Sequence, residues 1–125
     1  MIHPEAAGAE NPVARHYAGS GLANRIMDAV RAALPGDVTP DDLAALDHFH
    51  SGGLESTEAL AKVSGVRSGL RVLDVGAGIG GPARWLAAHF GCRVTCLDLT
   101  PEYCLAAEAL TRLTGLESLV DVRQG

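Results

Sequence analysis

Basic residues, long apolar runs and cysteine pairs are all scarce in this chain. Ten lysines and arginines stand against fifteen acidic residues, and the net charge of −5 gives no general attraction to nucleic acid or to an anionic membrane. No apolar run reaches the length of a membrane span, and the N-terminus lacks the charged-then-apolar pattern of a secretion signal. These absences favour a cytoplasmic protein whose partner is a small molecule, with neither nucleic acid nor a membrane as a partner.

The cysteines and histidines form no strong metal-binding motif. Cys92, Cys96 and Cys104 are an odd number and contain no C-x-x-C pair, which favours structural thiols over a disulfide or a metal site. Among the five histidines only His48 and His50 stand at alternate positions, and two such residues are a weak pattern for ligands. We therefore predict that the chain holds no metal.

Glycine, by contrast, is abundant, at 15 of 125 residues. Residues 72–81, VLDVGAGIGG, are typical of an apolar strand followed by a glycine turn and then a helix. Gly76, Gly78 and Gly80 or Gly81 let the backbone turn sharply and lie close to a ligand. The helix start would offer free N–H groups to a carboxylate or phosphate. The stretch predicts a site for a nucleoside cofactor.

Two carboxylates bear on which cofactor such a turn binds. Gly76, Gly78 and Gly81 also satisfy the dinucleotide fingerprint G-x-G-x-x-G, so an NAD-type oxidoreductase is one alternative. Asp74 would place a negative charge beside an NAD pyrophosphate, whereas S-adenosylmethionine (SAM) brings a cationic ammonium and sulfonium there. Asp98 ends a second apolar strand 22 residues after Gly76, a spacing that fits a carboxylate accepting ribose hydroxyls.

These motifs resemble those of the class I SAM-dependent methyltransferases, in particular the small-molecule enzymes of the sarcosine/dimethylglycine and the tocopherol or quinone type. The similarity lies in VLDVGAGIGGPARWLA at residues 72–87, CLDLT at 96–100 and DHFHSGGLESTEALA at 47–61. The resemblance implies an enzyme that uses SAM to methylate nitrogen, oxygen or carbon of a small acceptor. A module that holds SAM without catalysis is the other alternative.

The resemblance also implies roles for individual residues. The expected cofactor-binding residues are Asp74, Gly76, Ala77, Gly78, Gly80, Asp98, Leu99 and Tyr17. Asp74 would hold the methionine end of SAM, Asp98 the ribose hydroxyls, and Leu99 would offer an apolar face to adenine. Tyr17 would reach the cofactor from the first helix, unless it is a packing residue, and His50 would contact the acceptor, unless it is a loop or capping residue. No residue is assigned as a general base.

Strands and helices alternate from residue 70 onward. Helices are predicted at about 13–34, 40–46, 54–64, 82–90 and 101–114, and strands at about 70–75, 92–97 and 119–123. This order predicts an α/β fold, namely the N-terminal part of the Rossmann-like SAM-dependent methyltransferase fold, with a parallel sheet preceded by N-terminal helices. Residues 1–66 would form a helical lid segment, and residues 67–125 the incomplete first half of the SAM-binding core.

The third predicted strand runs into Gly125, the last residue. The family fold would continue with further strands and much of the acceptor pocket, so we expect the chain to be the N-terminal portion of an enzyme and to be inactive alone. A three-stranded sheet would also leave apolar surface exposed, which favours a homo-oligomer.

Overall fold

The computed structural model describes residues 21–47 and 53–125. The expectations for Tyr17, His48 and His50 therefore fall outside the described residues. The described helices and strands are α1 (Leu22–Ala33), α2 (Ala44–Asp47), α3 (Gly53–Ser64), β1 (Arg71–Val75), α4 (Gly81–Phe90), β2 (Arg93–Asp98), α5 (Pro101–Leu113) and β3 (Val120–Gln124). From residue 70 onward each predicted strand and helix is present.

The three strands form one parallel sheet in the order β1-β2-β3. Val72 lies beside Val94, and Val94 lies beside Val120 on its other side. The crossover helices α4 and α5 join successive strands in one direction, which places both on the same face when crossovers are right-handed. The α/β fold with a parallel sheet is therefore confirmed, and its ligand-binding edge is the one where the strands end.

One face of the sheet is buried and the other is bare. Val94, Cys96 and Val120 are at most 5% exposed and share a hydrophobic cluster with alanines of α4. Leu73 and Val75, which alternate with the half-buried Val72 and Asp74 of β1, are 61% and 71% exposed. The strand alternation thus divides each strand between a packed side and an open side.

The N-terminal helices pack against the core through a second hydrophobic cluster. Its buried members are Val30 of α1, Val38, Leu43 and Leu110 of α5. Residues ahead of the sheet are thereby fixed to the outer side of α5. The helices before β1 and the strand-helix units therefore share buried surface, and the boundary expected at residue 66 stays a prediction.

Two predicted helix starts differ from the structure. The helix predicted over residues 13–34 is interrupted at Gly21, which adopts a left-handed conformation with φ of 64°, and the first described helix begins at Leu22. Residues 13–20 lie outside the described part of the chain. The second prediction began a helix at residue 40, but residues 40–43 form a turn and α2 begins at Ala44. Thr39 nevertheless forms a reciprocal cap with Asp42: the Thr39 N–H donates to the Asp42 carboxylate at 2.8 Å, and the Asp42 N–H donates to the Thr39 hydroxyl at 3.3 Å.

Within residues 21–47 and 53–125, no helix is long and apolar enough to cross a membrane. The same residues contain no group of three or more His, Cys, Asp or Glu side chains arranged to hold a metal ion. Cys92, Cys96 and Cys104 are all free and buried, as expected of structural thiols.

Candidate functional site

A cavity of about 450 Å³ lies at the edge of the sheet where β1 ends. It is lined by Ala45, Leu46, Asp47, Asp74, Gly76, Ala77, Gly78, Ile79, Pro82 and Tyr103. The glycine turn that was expected to bind a cofactor therefore forms one wall of the cavity. The C-terminal end of α2 and the start of α5 supply the rest.

The glycine turn takes its shape from left-handed glycines and from bonds to β2. Gly76 and Gly78 have φ of 72° and 58°, a region that residues with a Cβ rarely adopt. The N–H groups of Gly76 and Ala77 donate to the Leu97 carbonyl at 2.8 and 3.1 Å. A Cβ built at Gly76 or Gly78 would meet no atom within 4 Å, so open space lies above both Cα atoms. The turn thus offers a bare backbone surface that a ligand can approach closely.

Part of the start of α4 is covered by the chain itself, and the free N–H groups expected there stay a prediction. The Gly80 N–H donates to the Ala77 carbonyl at 3.0 Å, and Gly81 lies directly beneath Asp47. A Cβ at Gly81 would overlap both the Cβ and the carbonyl oxygen of Asp47, so only glycine allows this approach. This part of the start of α4 is therefore covered by the chain's own backbone.

Asp98 joins the glycine turn to the start of α5. One carboxylate oxygen accepts the Gly78 N–H at 2.8 Å and the other accepts the Thr100 N–H at 2.9 Å. The side chain is half-buried, and each oxygen keeps a further lone pair for a ligand. Asp98 is thus held in one orientation at the end of β2 before any cofactor arrives.

Asp74 is the next-to-last residue of β1, lies beside Cys96 of β2 and lines the cavity. Burial raises the pKa of this carboxyl, and the negative charge of Asp98 raises it further. A cationic group in the cavity would offset both effects, because it would stabilise the ionised carboxylate. The site is therefore electrostatically suited to a positively charged ligand group.

Leu99 and Tyr103 present apolar surface near the two acids. Leu99, which directly follows Asp98, is 80% exposed, and Tyr103, on the first turn of α5, is 41% exposed and lines the cavity. The position of Leu99 agrees with its expected part in the site, and that part stays a prediction. Tyr103 was missed, although its place three residues after Thr100, where α5 is capped, was a usable signal.

A buried ion pair beneath the glycine turn was also missed. The Arg84 and Asp47 side chains are 0% and 1% exposed, and an Arg84 Nη2–H donates to Asp47 Oδ1 at 2.5 Å. Burial raises the pKa of Asp47 to about 6, an effect that the charge of Arg84 opposes. An arginine in the otherwise apolar segment GPARWLAA was the sequence signal, because a buried guanidinium requires a partner.

Trp85 follows Arg84 on α4 and is buried. Its ring stacks on His89 with the centroids 4.4 Å apart and meets Phe90 edge-on at 5.8 Å. These contacts lie along its own helix, which makes Trp85 a packing residue.

Comparison with known proteins places this geometry in a family. The family model described as a methyltransferase domain matches residues 73–125. The chain is 49% identical over 55 residues to the glycine/sarcosine/dimethylglycine N-methyltransferase of Actinopolyspora halophila, covering 44% of this chain and 10% of that protein. It is 41% identical over 66 residues to the sterol 24-C-methyltransferase of Eremothecium gossypii, covering 53% and 18% respectively.

Residues 73–125 match the methyltransferase-domain model, and both of these relatives are methyltransferases. A solved SAM-dependent methyltransferase from Thiobacillus denitrificans, in complex with S-adenosylhomocysteine, matches 81% of this chain and 36% of its own with a TM-score of 0.54. Its 24% identity supports the fold alone. The parallel sheet and its helices are thus part of the Rossmann-like methyltransferase fold, and the family's cofactor is SAM. The chain spans a tenth to a fifth of the length of the two relatives above.

Proposed function

We propose that the protein containing this chain is a SAM-dependent methyltransferase that acts on nitrogen, oxygen or carbon of a small acceptor. One observation carries the proposal. The glycine turn is bonded to the end of β2 through Leu97 and Asp98, and it opens onto a cavity that contains the carboxylate of Asp74. A bare backbone surface flanked by two acids fits a ligand that combines a ribose with a cationic end.

The site residues divide the cofactor between them. Asp74 binds the ammonium of the methionine part, because its carboxylate lines the cavity, whereas that of Asp98 already accepts two backbone N–H groups. Asp98 accepts the ribose hydroxyls with the lone pairs that its two backbone partners leave free. Leu99 packs against the adenine. Gly76 and Gly78 let the ligand lie close to the backbone, because open space lies above both Cα atoms, and Ala77 lines the cavity between them. Gly80 shapes the turn from beneath, where it faces Arg84.

The chemistry requires alignment more than acid or base groups. When bound, SAM supplies an activated methyl group with a neutral thioether as its leaving group. The turn and the two acids would hold SAM on both sides of its reactive sulfur and so would orient the methyl group toward the acceptor. A general base is needed only for an acceptor that arrives protonated.

Residues 1–66 form a lid over this site. The proposal is supported by α2, whose Ala45, Leu46 and Asp47 line the cavity opposite the glycine turn. Tyr17 and His50 belong to the same segment, and on the family resemblance alone they contact cofactor and acceptor respectively. In a lid of this kind, closure would separate the methyl group from solvent.

We further propose a cytoplasmic, homo-oligomeric protein that acts without nucleic acid or membrane. Three free buried thiols suit a reducing compartment. The bare apolar surface at Leu60, Val63, Leu73 and Val75, each 61% exposed or more, is supporting evidence for association with a second copy. Light scattering that found only monomers of the full-length protein would contradict the oligomer.

Calorimetric titration tests the proposed function. The full-length protein is titrated with S-adenosylhomocysteine and, in a parallel experiment, with NAD. Saturable binding of the adenosyl ligand and none of NAD is expected, because Asp74 repels a pyrophosphate and attracts an ammonium. Binding of NAD without any response to S-adenosylhomocysteine would overturn the proposal.

A further inference from the structure

Arg84 holds three separate segments of the chain together at one point beneath the glycine turn. An Nη1–H donates to the Ile79 carbonyl at 2.6 Å, and the same nitrogen lies 3.5 Å from the Ala107 carbonyl of α5. An Nη2–H donates to Asp47 at the end of α2. The planar guanidinium presents its donors in a fixed fork, so these bonds fix the relative positions of their acceptors.

The fork lies directly against the turn that forms the cavity wall. A Cβ built at Gly80 would lie 3.0 Å from Arg84 Nη1, so the guanidinium is in contact with the turn backbone. Ile79 lines the cavity with its neighbours Ala77 and Gly78. A shift of the Ile79 carbonyl would therefore move the backbone on which the proposed ligand lies.

Asp47 holds the arginine from the other side of the same cavity. Its carboxylate is paired with Arg84, and its backbone lies on Gly81. Asp47 also lines the cavity. The residue thus links the end of α2 both to the start of α4 and, through Arg84, to the turn.

The stability of the fold does not explain the buried ion pair of Arg84 and Asp47 well. Among the described residues neither Asp47 Oδ2 nor Arg84 Nε has a hydrogen-bond partner, so the buried charges are incompletely satisfied. A buried ion pair of this kind is often no more stable than a well-packed apolar pair of similar volume. Its value must then lie in what it positions.

We propose that Arg84 and Asp47 are positioning residues for the cofactor, with Arg84 fixing the glycine turn through the Ile79 carbonyl and Asp47 fixing Arg84. Neither residue needs to touch the ligand. The identity of the ligand in this inference rests on the proposed function. The effect of Arg84 on the turn rests only on the contacts of Arg84 described above.

The test replaces the pair by apolar residues in the full-length protein. The double variant Asp47→Leu with Arg84→Met removes both charges at once and leaves neither unpaired. We expect its melting temperature to match or exceed that of the unaltered protein, and its Kd for S-adenosylhomocysteine to rise about tenfold or more. Arg112→Met, at an exposed arginine of α5, is the matched control and leaves both quantities unchanged.

A conservative variant keeps the proposal testable if the double variant does not fold. Arg84→Lys retains the charge beside Asp47 but lacks the fork that reaches Ile79 as well. We expect it to fold and to raise the Kd about tenfold. A Kd equal to that of the unaltered protein, in either folded variant, would overturn the proposal.

Hydrogen exchange in the ligand-free protein separates this proposal from the proposed function. Exchange of the amides of residues 76–84, including the Gly80 and Arg84 N–H groups bonded within the turn, should become about tenfold faster in both variants. Unchanged exchange would overturn the positioning role. Faster exchange in the variants of a protein that fails to bind S-adenosylhomocysteine would leave the positioning role standing and refute the proposed function.

Discussion

β1 and β2 each carry an aspartate at or near the end of the strand, and the two carboxylates differ in their surroundings. Asp98 on β2 receives two backbone N–H groups, from Gly78 and Thr100, so its charge is satisfied within the protein. Asp74 on β1 faces the cavity, and both burial and the nearby charge of Asp98 raise its pKa. Asp98 is thus bonded to the turn, whereas we propose that Asp74 gains a stabilising partner when a cation binds.

This difference separates stability from binding. Removing the charge of Asp98 should lower both the stability of the turn and the affinity for the ligand, because the same carboxylate serves both. Removing the charge of Asp74 should lower the affinity for the ligand, and it should raise the stability of the fold because a partly buried charge is lost. Substitutions at the two positions are therefore expected to differ in the sign of their effect on stability.

The largest effect is expected from Asp98→Asn. The amide keeps one acceptor oxygen, so one of the two backbone N–H groups loses its partner, and the ribose loses an anionic acceptor. Affinity for S-adenosylhomocysteine should fall by about 1–3 kcal/mol, the range for hydrogen bonds to a charged group. Calorimetry measures the affinity and thermal unfolding the expected loss of stability. Asp121→Asn, at an exposed strand residue paired with Arg123, is the matched control, and an affinity equal to the control's would mean that β2 does not border the site.

A third acid, the buried Asp47, extends the comparison of Asp74 with Asp98, because it makes the stability of the fold depend on pH. Its folded pKa of about 6 lies above the ordinary 3.8, so folding favours its protonated form. This contribution is fully present below pH 3.8 and is lost as the pH rises toward 6. Between pH 4 and pH 7, Asp47 should therefore lower the free energy of unfolding by about 2 kcal/mol. The Asp47→Leu, Arg84→Met variant should lack this decrease. Identical slopes in the two proteins would contradict this assignment.

Asp74→Asn provides the opposite case to Asp98→Asn. The variant should bind S-adenosylhomocysteine about tenfold more weakly, or about 1.4 kcal/mol, because the ammonium loses its carboxylate. Its melting temperature at pH 7 should be equal to or higher than that of the unaltered protein, because a half-buried charge beside Asp98 is removed. A lower melting temperature with unchanged affinity would reverse the roles assigned to the two acids.

The smallest expected effect is that of Leu99→Ala. Loss of part of the apolar face proposed for adenine should lower affinity by about 1 kcal/mol, since each buried methylene contributes about 0.8 kcal/mol. Stability should scarcely change, because Leu99 is 80% exposed. Leu105→Ala on α5, at a leucine that is 49% exposed, serves as the control. Equal affinities for the two variants would remove Leu99 from the site.

The order of strands and helices after residue 70 could be predicted because local signals mark each boundary. Gly91 ends α4 in a left-handed conformation with its N–H bonded to Ala87, and Thr100 with Pro101 opens α5. Before residue 70 the prediction of α3 is confirmed, whereas the starts of the two earlier helices were misread. Gly21 was placed inside a helix, although its left-handed backbone ends that possibility.

The polar contacts of the site could be predicted only in part. Asp74 and Asp98 were identified because each stands at a strand end, where position along the chain fixes position in the fold. The pairing of Arg84 with Asp47 joins residues 37 positions apart and depends on how α2 packs on α4. Likewise, the inward direction of the turn N–H groups follows from bonds to Leu97 and Asp98 across the sheet, which no local pattern specifies.

A crystal structure of the full-length protein with S-adenosylhomocysteine tests the central claim most directly. The account predicts both ribose hydroxyls within hydrogen-bond distance of the Asp98 carboxylate, about 2.5–3.0 Å, and the ligand ammonium beside Asp74. The glycine turn should lie against the ligand with its bonds to Leu97 and Asp98 intact. A ligand bound elsewhere, or one whose ribose contacts neither acid, would contradict the account.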